Sequence, residues 1–359
     1  GTVKGFAQTL ALGIVLSMFT ALVVTKYIMK AFYALGLKDT KWYGIGKEHK
    51  PINFLGKKGI FFGLSLAVIL VGFITMGVYK VNSGDALNYS LEFKGGTSTS
   101  VEFNEDMSIE ELDEKVVPII EEISKDANVQ TQKVQGSNQV IFKSATLDVS
   151  QREELNSRLE EEFGVDPEKI TAETISSTIS SEMRTGAVSA VVVSTVLMLL
   201  YVWFRFKDVR FGASSVAALV HDVLVVLAFY AAARVSVGNT FIACMLTIVG
   251  YSINATIVIF DRIRENMTSY KTKEELAAIV NRSISQTLSR SIFTSLTTFI
   301  MVAVLYILGV SSIKEFALPL MVGIACGTYS SICLASAFWY LLRTRVGGKK
   351  AEKDKKAAK

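Results

Sequence analysis

The chain has 359 residues, of which 50% are hydrophobic and 20% charged, and its formal net charge is +5. Its three cysteines (Cys244, Cys326 and Cys333) lie in apolar runs without metal-type spacing, which excludes a disulfide framework and a cysteine-based zinc site. Charge is strongly segregated: residues 88–182 carry 21 acidic and 8 basic side chains, a balance of −13, so the remainder of the chain is basic.

Seven apolar runs are long enough to cross a membrane. At about 1.5 Å per residue, each covers a hydrocarbon core about 30 Å thick. The predicted spans are Gly5–Thr25, Gly59–Tyr79, Thr185–Phe204, Phe211–Ala233, Val235–Phe260, Ser291–Ile313 and Phe316–Leu342. The sequence therefore predicts a polytopic α-helical membrane protein with seven transmembrane helices.

The basic residues predict the orientation of these spans. They concentrate in Lys26–Lys58, Arg205–Arg210, Asp261–Arg290 and Arg343–Lys359, which all fall on one side of the membrane when seven spans are threaded. Because Lys and Arg mark cytoplasmic loops, we expect Gly1 and residues 88–182 outside and the tail in the cytoplasm. The chain begins shortly before a span, so we expect it to be the C-terminal part of a longer polypeptide.

Residues 88–182, called the outer domain below, read as alternating strands and helices. Ser108 and Glu111 form a capping-box pattern at the start of the first helix. The order β-α-β-β-α-β predicts an α+β, ferredoxin-like domain. The predicted elements are strands Tyr89–Phe93 and Thr97–Phe103, helix Ser108–Ser124, strands Val129–Gln135 and Gln139–Lys143, helix Asp148–Phe163 and strand Lys169–Ile175.

A double glycine lies near the entrance to the outer domain, in the stretch LEFKGGT at Leu91–Thr97. Gly95 and Gly96 permit a positive φ, so they are expected to form the turn that joins the preceding span to the sheet, followed by Thr97. A phosphate-binding loop is disfavoured, because no GxxxxGK[ST] pattern is present and an acidic domain repels nucleotides.

His221 and Asp222 lie inside the fourth predicted span. Asp222 is 11 residues from Phe211, or about 16 Å deep, where an ionised carboxylate costs about 2.5–3.5 kcal/mol. It must be paired, protonated or hydrated. Neighbouring residues point about 100° apart on a helix, so we expect that the two side chains do not share one small site. A proton relay and a hydrogen-bonded helix clamp both remain open.

The stretch Val249–Met267 carries polar groups within an apolar run. Ser252 and Asn254 must face protein or water, because lipid cannot satisfy them. Asp261 is expected at the membrane edge, as a helix-end charge paired with an arginine. Two neighbouring faces of the predicted helix are Tyr251, Ala255, Val258 and Arg262, and Gly250, Asn254, Ile257 and Asp261.

Lys273–Ser289 is predicted as a cytoplasmic amphipathic segment that leads to Arg290. This arginine opens a span whose first half is rich in Ser and Thr. It either snorkels to the interface or reaches inward to a carboxylate or water. Two glycine pairs, Gly59 with Gly63 and Gly323 with Gly327, favour close helix packing.

Five stretches resemble the SecF half of the bacterial SecD–SecF protein-export family, in the resistance-nodulation-division superfamily. The likeness covers about Gly59–Leu342, and the first span resembles the last membrane helix of SecD. The matching stretches are LEFKGGT (Leu91–Thr97), ALVHDV (Ala218–Val223), IVGYSINATIVIFDRIREN (Ile248–Asn266), NRSISQTLSR (Asn281–Arg290) and GIACGTYSSI (Gly323–Ile332).

The resemblance implies an accessory of the Sec translocon, not an enzyme, in the bacterial plasma membrane. It implies protons as the coupling ion, no other cofactor and no metal, and as partners a SecD portion, a SecY-type channel, preproteins and lipids, without nucleic acid. The implied segments are a SecD-like helix (1–30), a linker (31–58), a first SecF-like helix (59–80), the outer domain (88–182), a five-helix bundle (185–342) and a basic tail (343–359).

Proton coupling in this family implies an intramembrane acid after the motif asparagine, together with an arginine. Arg290 matches the arginine and Asn254 the asparagine, but the acid's position is Ala255. Either a substitution locks one state, or the function lies elsewhere in this lineage; the intact surrounding motif favours a substitution. The alternative function is a proton-coupled exporter of small molecules or lipids from the same superfamily, which would be expected to carry larger outer domains. HExxH and GxSxG are absent, which disfavours an intramembrane enzyme.

Overall fold

The computed structural model describes residues 2–39, 42, 51–126, 129–134, 137–267, 272–309 and 311–344. Much of the predicted linker, part of the predicted turn before Gln139 and most of the basic tail lie outside the described residues. The chain divides into two compact units. One comprises Gly1–Phe73, Ser194–Phe229 and Asn239–Lys359, and the other comprises Ile74–Val193 and Tyr230–Gly238.

Within the described residues, seven helical segments are long and apolar enough to cross a membrane, which confirms the predicted polytopic architecture. Two of these segments, the first and the last, contain a π-helical turn. The helices are α1 Thr2–Phe19, continuing through Thr20–Val24 into α2 Thr25–Ala34, α3 Lys58–Ser83, α4 Leu91–Lys94, α5 Ile109–Lys115, α6 Val117–Ser124, α7 Val149–Phe163, α8 Ser177–Phe206, α9 Val209–Ala232, α10 Asn239–Asn266, α11 Lys273–Leu308 and α12 Ser311–Tyr329, which continues through Ser330–Ala335 to Thr344.

The predicted amphipathic segment and the sixth span form one continuous helix, α11, so their separation was wrong. The Thr272 side chain caps it by accepting a hydrogen bond from the Glu275 N–H. Its apolar stripe is buried as predicted, with Leu276, Val280 and Ile284 at 1% exposure or less. The helix ends at Leu308, before the predicted boundary at Ile313.

Both ends of the predicted extended linker lie within the described residues. At its start, α2 continues to Ala34. At its end, the segment before α3 docks on α11: the Ile52 N–H donates to Ser285 Oγ at 2.9 Å, and the Leu55 N–H donates to Asn281 Oδ1 at 3.1 Å. Backbone groups that would otherwise need water are satisfied by side chains of α11, which fixes the entry into α3.

The outer domain contains one four-stranded antiparallel sheet. Its strands are β1 Gly96–Glu102, β2 Gln130–Lys133, β3 Gln139–Ser144 and β4 Ile170–Ile175, in the spatial order β2-β3-β1-β4. β3 therefore lies between β1 and β2, which is the interleaving of a split β-α-β unit. Val101 and Phe142 of the sheet and Leu112, Ile120 and Leu159 of the helices are each at most 1% exposed and form its core.

The predicted strand Tyr89–Phe93 is wrong. Residues Leu91–Lys94 form a single helical turn, because the amides of Lys94 and Gly95 bond back to the carbonyls of Ser90 and Leu91 at 2.9 and 2.8 Å. Apolar Leu91 and Phe93 alternate as in a strand, but a run this short fits either structure.

The predicted helix Ser108–Ser124 is two helices, α5 and α6, broken at Val116. Pro118 has no amide hydrogen for the i→i−4 bond that a continuous helix needs, so a new helix starts there. The predicted capping box is confirmed: the Ser108 side chain accepts from the Glu111 N–H, and the Ser108 N–H donates to the Glu111 carboxylate. That hydrogen bond lowers the pKa of Glu111.

A candidate functional site in the membrane helices

Asp222 of α9 is fully buried and accepts hydrogen bonds from two other membrane helices. Ser252 of α10 donates to its Oδ2 atom at 2.5 Å, and Ser330, just after α12, donates to the same atom at 2.7 Å. All three residues have 0% exposure. The carboxylate therefore contacts protein instead of lipid, as a polar group at membrane depth requires.

His221 and Cys326 complete the cluster on the other carboxylate oxygen. His221 Nδ1 lies 2.9 Å from Asp222 Oδ1, and Cys326 Sγ lies 3.3 Å from the same atom. The expectation that His221 and Asp222 could not share one site is wrong. Their Cα–Cβ bonds do diverge around the helix, but a ring nitrogen and a carboxylate oxygen reach far enough from Cβ to meet.

The cluster contains enough donors to satisfy an ionised carboxylate. Two serine hydroxyls and a thiol donate to the two oxygens, and a ring nitrogen of His221 lies beside one of them. His221, Asp222 and Cys326 each offer one atom that could coordinate a metal. These three atoms lie within 4.8 Å of one another, a spacing compatible with a bound cation. The bonds from Ser252 and Ser330 join Asp222 to two other helices, a geometry that suits a helix clamp, while both predicted roles stay predictions.

Close packing of α12 against α10 allows these bonds to form. A Cβ atom added at Gly323 would lie 2.3 Å from Ile248 Cδ1, and one added at Gly327 would lie 3.2 Å from Ser252 Cβ. The predicted role of this glycine pair is confirmed. The pair Gly59 and Gly63 has no described atom near it that a Cβ would meet within 4 Å, so close packing there is not observed.

We expect Ser252→Ala to destabilise the bundle by about 1–2 kcal/mol, because a buried carboxylate loses one of its donors. The midpoint of thermal unfolding in detergent measures this change. Ser215→Ala is the matched control, since Ser215 is also buried on α9 but donates within its own helix, to the Phe211 carbonyl at 2.9 Å. An equal drop of the unfolding midpoint in both variants would show that the Ser252–Asp222 hydrogen bond contributes no stability of its own.

The positions that the family resemblance singled out lie on another face of α10. Asn254 is exposed and Ala255 is half-buried, whereas Ser252 and Thr256 on the same helix are buried. Arg290 on α11 is also exposed. The described chain therefore brings His221 and Asp222 together, but it leaves Asn254, Ala255 and Arg290 on its outside.

Asp261 and Arg262 lie at the end of α10 and form surface contacts. Asp261 Oδ2 is 2.9 Å from Arg205 Nη2, and these side chains are 39% and 42% exposed. Arg262 donates to Gln286 Oε1 at 2.7 Å and to the Glu265 carboxylate at 2.6 Å. The predicted helix-end pairing of Asp261 with an arginine is observed, and exposed pairs of this kind contribute at most about 1 kcal/mol.

The double glycine forms the predicted turn between the span and the sheet. Gly95 and Gly96 have φ values of +76° and +116°, and a Cβ at Gly96 would lie 2.3 Å from the Ser144 carbonyl oxygen. Thr97 follows on β1, where its Oγ1 accepts a hydrogen bond from the Leu147 N–H at 2.8 Å. All three residues have structural roles here.

Two members of the buried cluster were missed from the sequence, Cys326 and Ser330. They are four residues apart in the last span and thus share one helix face, which is the signal that was present. Nothing local connects them to Asp222, which is 104 and 108 residues away in the chain.

These features define a polytopic membrane protein with a small α+β domain between its second and third spans and a buried carboxylate within its helices. The family described as "Protein export membrane protein SecD/SecF, C-terminal" matches residues 155–345. The chain is 35% identical over 307 residues to the protein translocase subunit SecF of Sebaldella termitidis, covering 85% of this chain and 96% of that protein. It therefore belongs to the SecD/SecF family.

Longer relatives match it as well. The protein translocase subunit SecDF of Bacillus subtilis is 31% identical over 368 residues, covering 96% of this chain and 48% of that protein. A crystal structure of SecDF from Thermus thermophilus, described as a translocon-associated membrane protein, superposes with a TM-score of 0.79 at 35% identity, over 96% of this chain and 46% of that one. The chain thus spans about half the length of these SecDF relatives and nearly all of the SecF relative.

Proposed function

We propose that this chain is the SecF-type portion of a Sec translocon accessory that uses the proton-motive force to assist preprotein export. The observation that carries the proposal is the match to nearly the whole of a protein translocase subunit SecF, at 35% identity. The relatives that match are named as translocase subunits, so an export role is favoured over the alternative exporter and over an enzyme.

The exposed face of α10 and α11 supports a partner within the membrane. Asn254 and Arg290 are polar and exposed on spanning helices, where lipid cannot satisfy them. In the proposed complex, a SecD portion covers this face and supplies the second intramembrane acid, and protons are the only coupling ion. SecDF relatives of about twice this length favour a SecD portion in the same polypeptide.

The proposed membrane, orientation and further partners rest on the distribution of basic residues and on the family. The positive-inside pattern supports an outer domain on the outside and a tail in the cytoplasm, and the family favours the bacterial plasma membrane. The further proposed partners are a SecY-type channel beside this protein in the membrane and preproteins that emerge on the outer side.

Co-purification with the SecD portion tests the proposed assembly. We expect Ala255→Trp to lower recovery of a co-expressed, tagged SecD portion about fivefold or more, because overpacking an interface costs about 1–3 kcal/mol. Val188→Trp is the control, since Val188 is 64% exposed on α8, a helix that carries neither Asn254 nor Arg290. Unchanged recovery with Ala255→Trp would argue against a SecD portion at this surface.

A further inference from the structure

Three lysines line one cavity of the outer domain. The cavity has a volume of about 330 Å³, and Lys94, Lys125 and Lys143 are in its wall together with Asp126. They are three of only eight basic residues in a segment that contains 21 acidic ones. The cavity is therefore a basic site on an otherwise strongly acidic domain.

The cavity lies at the end of the sheet that adjoins the membrane spans. Gly96, which opens β1, and Ser177, which opens spanning helix α8, both line it. Tyr89, also in the wall, is followed by Ser90, whose N–H donates to the Val237 carbonyl at 3.0 Å. Val237 belongs to the short loop between α9 and α10. The cavity thus lies beside the start of spanning helix α8 and next to a segment bonded to the α9–α10 loop.

The charges around the cavity favour an anion. Asp126 is held at the wall, where its Oδ2 accepts from the Ala145 N–H at 2.8 Å, and Lys94 pairs with Asp85 at 2.8 Å. Three ammonium groups still outnumber these two carboxylates. Gly96 brings its backbone so close to Ser144 that no side chain fits between them, so one wall of the cavity is backbone.

We propose that this cavity binds the phosphate-bearing headgroup of an anionic phospholipid in the leaflet beside the outer domain. Lysine binds phosphate as a point charge, and a lysine near an anionic membrane surface contributes about 1 kcal/mol. An acidic peptide arriving through solvent would first meet the acidic remainder of the domain, which repels it. A headgroup arrives from the membrane side, where the lysines lie.

Native mass spectrometry of the full chain in detergent, titrated with phosphatidylglycerol, tests this site. We expect Lys94→Gln/Lys125→Gln/Lys143→Gln to weaken binding about a hundredfold, or roughly fivefold per lysine. Lys125→Gln/Lys143→Gln keeps the Lys94–Asp85 pair intact, and we expect it to weaken binding roughly 25-fold. Phosphatidylcholine with the same acyl chains should bind at least as weakly as phosphatidylglycerol binds to the triple variant.

The matched control is Lys115→Gln/Arg152→Gln/Lys169→Gln, which removes the same charge from the same domain outside the cavity. An equal loss of phosphatidylglycerol binding in this variant would show that binding depends only on the net charge of the domain, and it would overturn the proposal of a site in the cavity. Displacement of the lipid by equimolar inorganic phosphate would make the ligand free phosphate, and displacement by equimolar hexaglutamate would make it an acidic peptide. Either result would overturn the lipid assignment.

Discussion

An Ala255→Asp variant is expected to gain proton-dependent export. Alanine cannot bind or release a proton, whereas aspartate can. One charge that crosses a potential of about 100 mV releases about 2.3 kcal/mol, enough to bias one step of a transport cycle roughly fortyfold. We therefore expect precursor processing in cells depleted of their own SecD and SecF to accelerate by up to about that factor when the variant is joined to its SecD portion.

Pulse-chase labelling of a secreted precursor, with and without a protonophore, measures this gain. Ala255→Asn is the matched control, because asparagine has nearly the size of aspartate but carries no proton at physiological pH. Position 255 is half-buried in the described bundle, so the two side chains, which are nearly equal in size, meet the same surroundings there. Equal export by the Asp and Asn variants, or a gain that survives the protonophore, would contradict a proton site at this position.

The membrane part of the fold was predictable because hydrophobic length is a local signal. Each predicted span has its helix, since about 20 apolar residues have few alternatives to spanning a bilayer. The boundaries were less accurate. Lys273–Ser289 was separated from the next span because its stripe is amphipathic, yet no helix-breaking residue interrupts the chain between them, and α11 runs on without a break.

The outer domain contains a correct prediction and a wrong one close together in the chain. The capping box at Ser108 could be identified because both of its hydrogen bonds join residues three apart. The stretch Leu91–Lys94 was assigned wrongly because its conformation depends on tertiary contacts. Ser90 next to it bonds to Val237, which is far away in the chain. A four-residue pattern does not contain that information.

The candidate site was predictable only in part, for the same reason. The depth of Asp222 required a partner, and the sequence showed that requirement. The partners themselves are on α10 and α12, where Ser252 and Ser330 resemble many other small residues. Which of them faces Asp222 depends on helix packing around Gly323 and Gly327, and this is a property of the assembled bundle.

The described part of this chain thus contains two kinds of intramembrane polar group, one buried among its helices and one exposed on their surface. Asp222 has its donors within the described bundle and holds three helices together. Asn254 and Arg290 are exposed on the face that we assign to the SecD portion. A group that is already satisfied stabilises one structure, whereas an exposed group on a partner-facing surface can form different contacts in different states. The exposed face, and not the buried cluster, is therefore where we place proton coupling.

Arg290→Ala is expected to be nearly neutral in the present chain and damaging in the Ala255→Asp background. In the present chain position 255 carries no carboxylate, so loss of the Arg290 guanidinium should change export by less than about twofold. In the Ala255→Asp background the arginine would face the new carboxylate, and its loss should remove most of the gain of up to about fortyfold. Arg282→Ala, another exposed arginine on α11, is the control and should be neutral in both backgrounds. A double-mutant cycle built on pulse-chase export rates separates the alternatives, because equal damage in both backgrounds would assign Arg290 to the structure of α11 instead of to proton coupling.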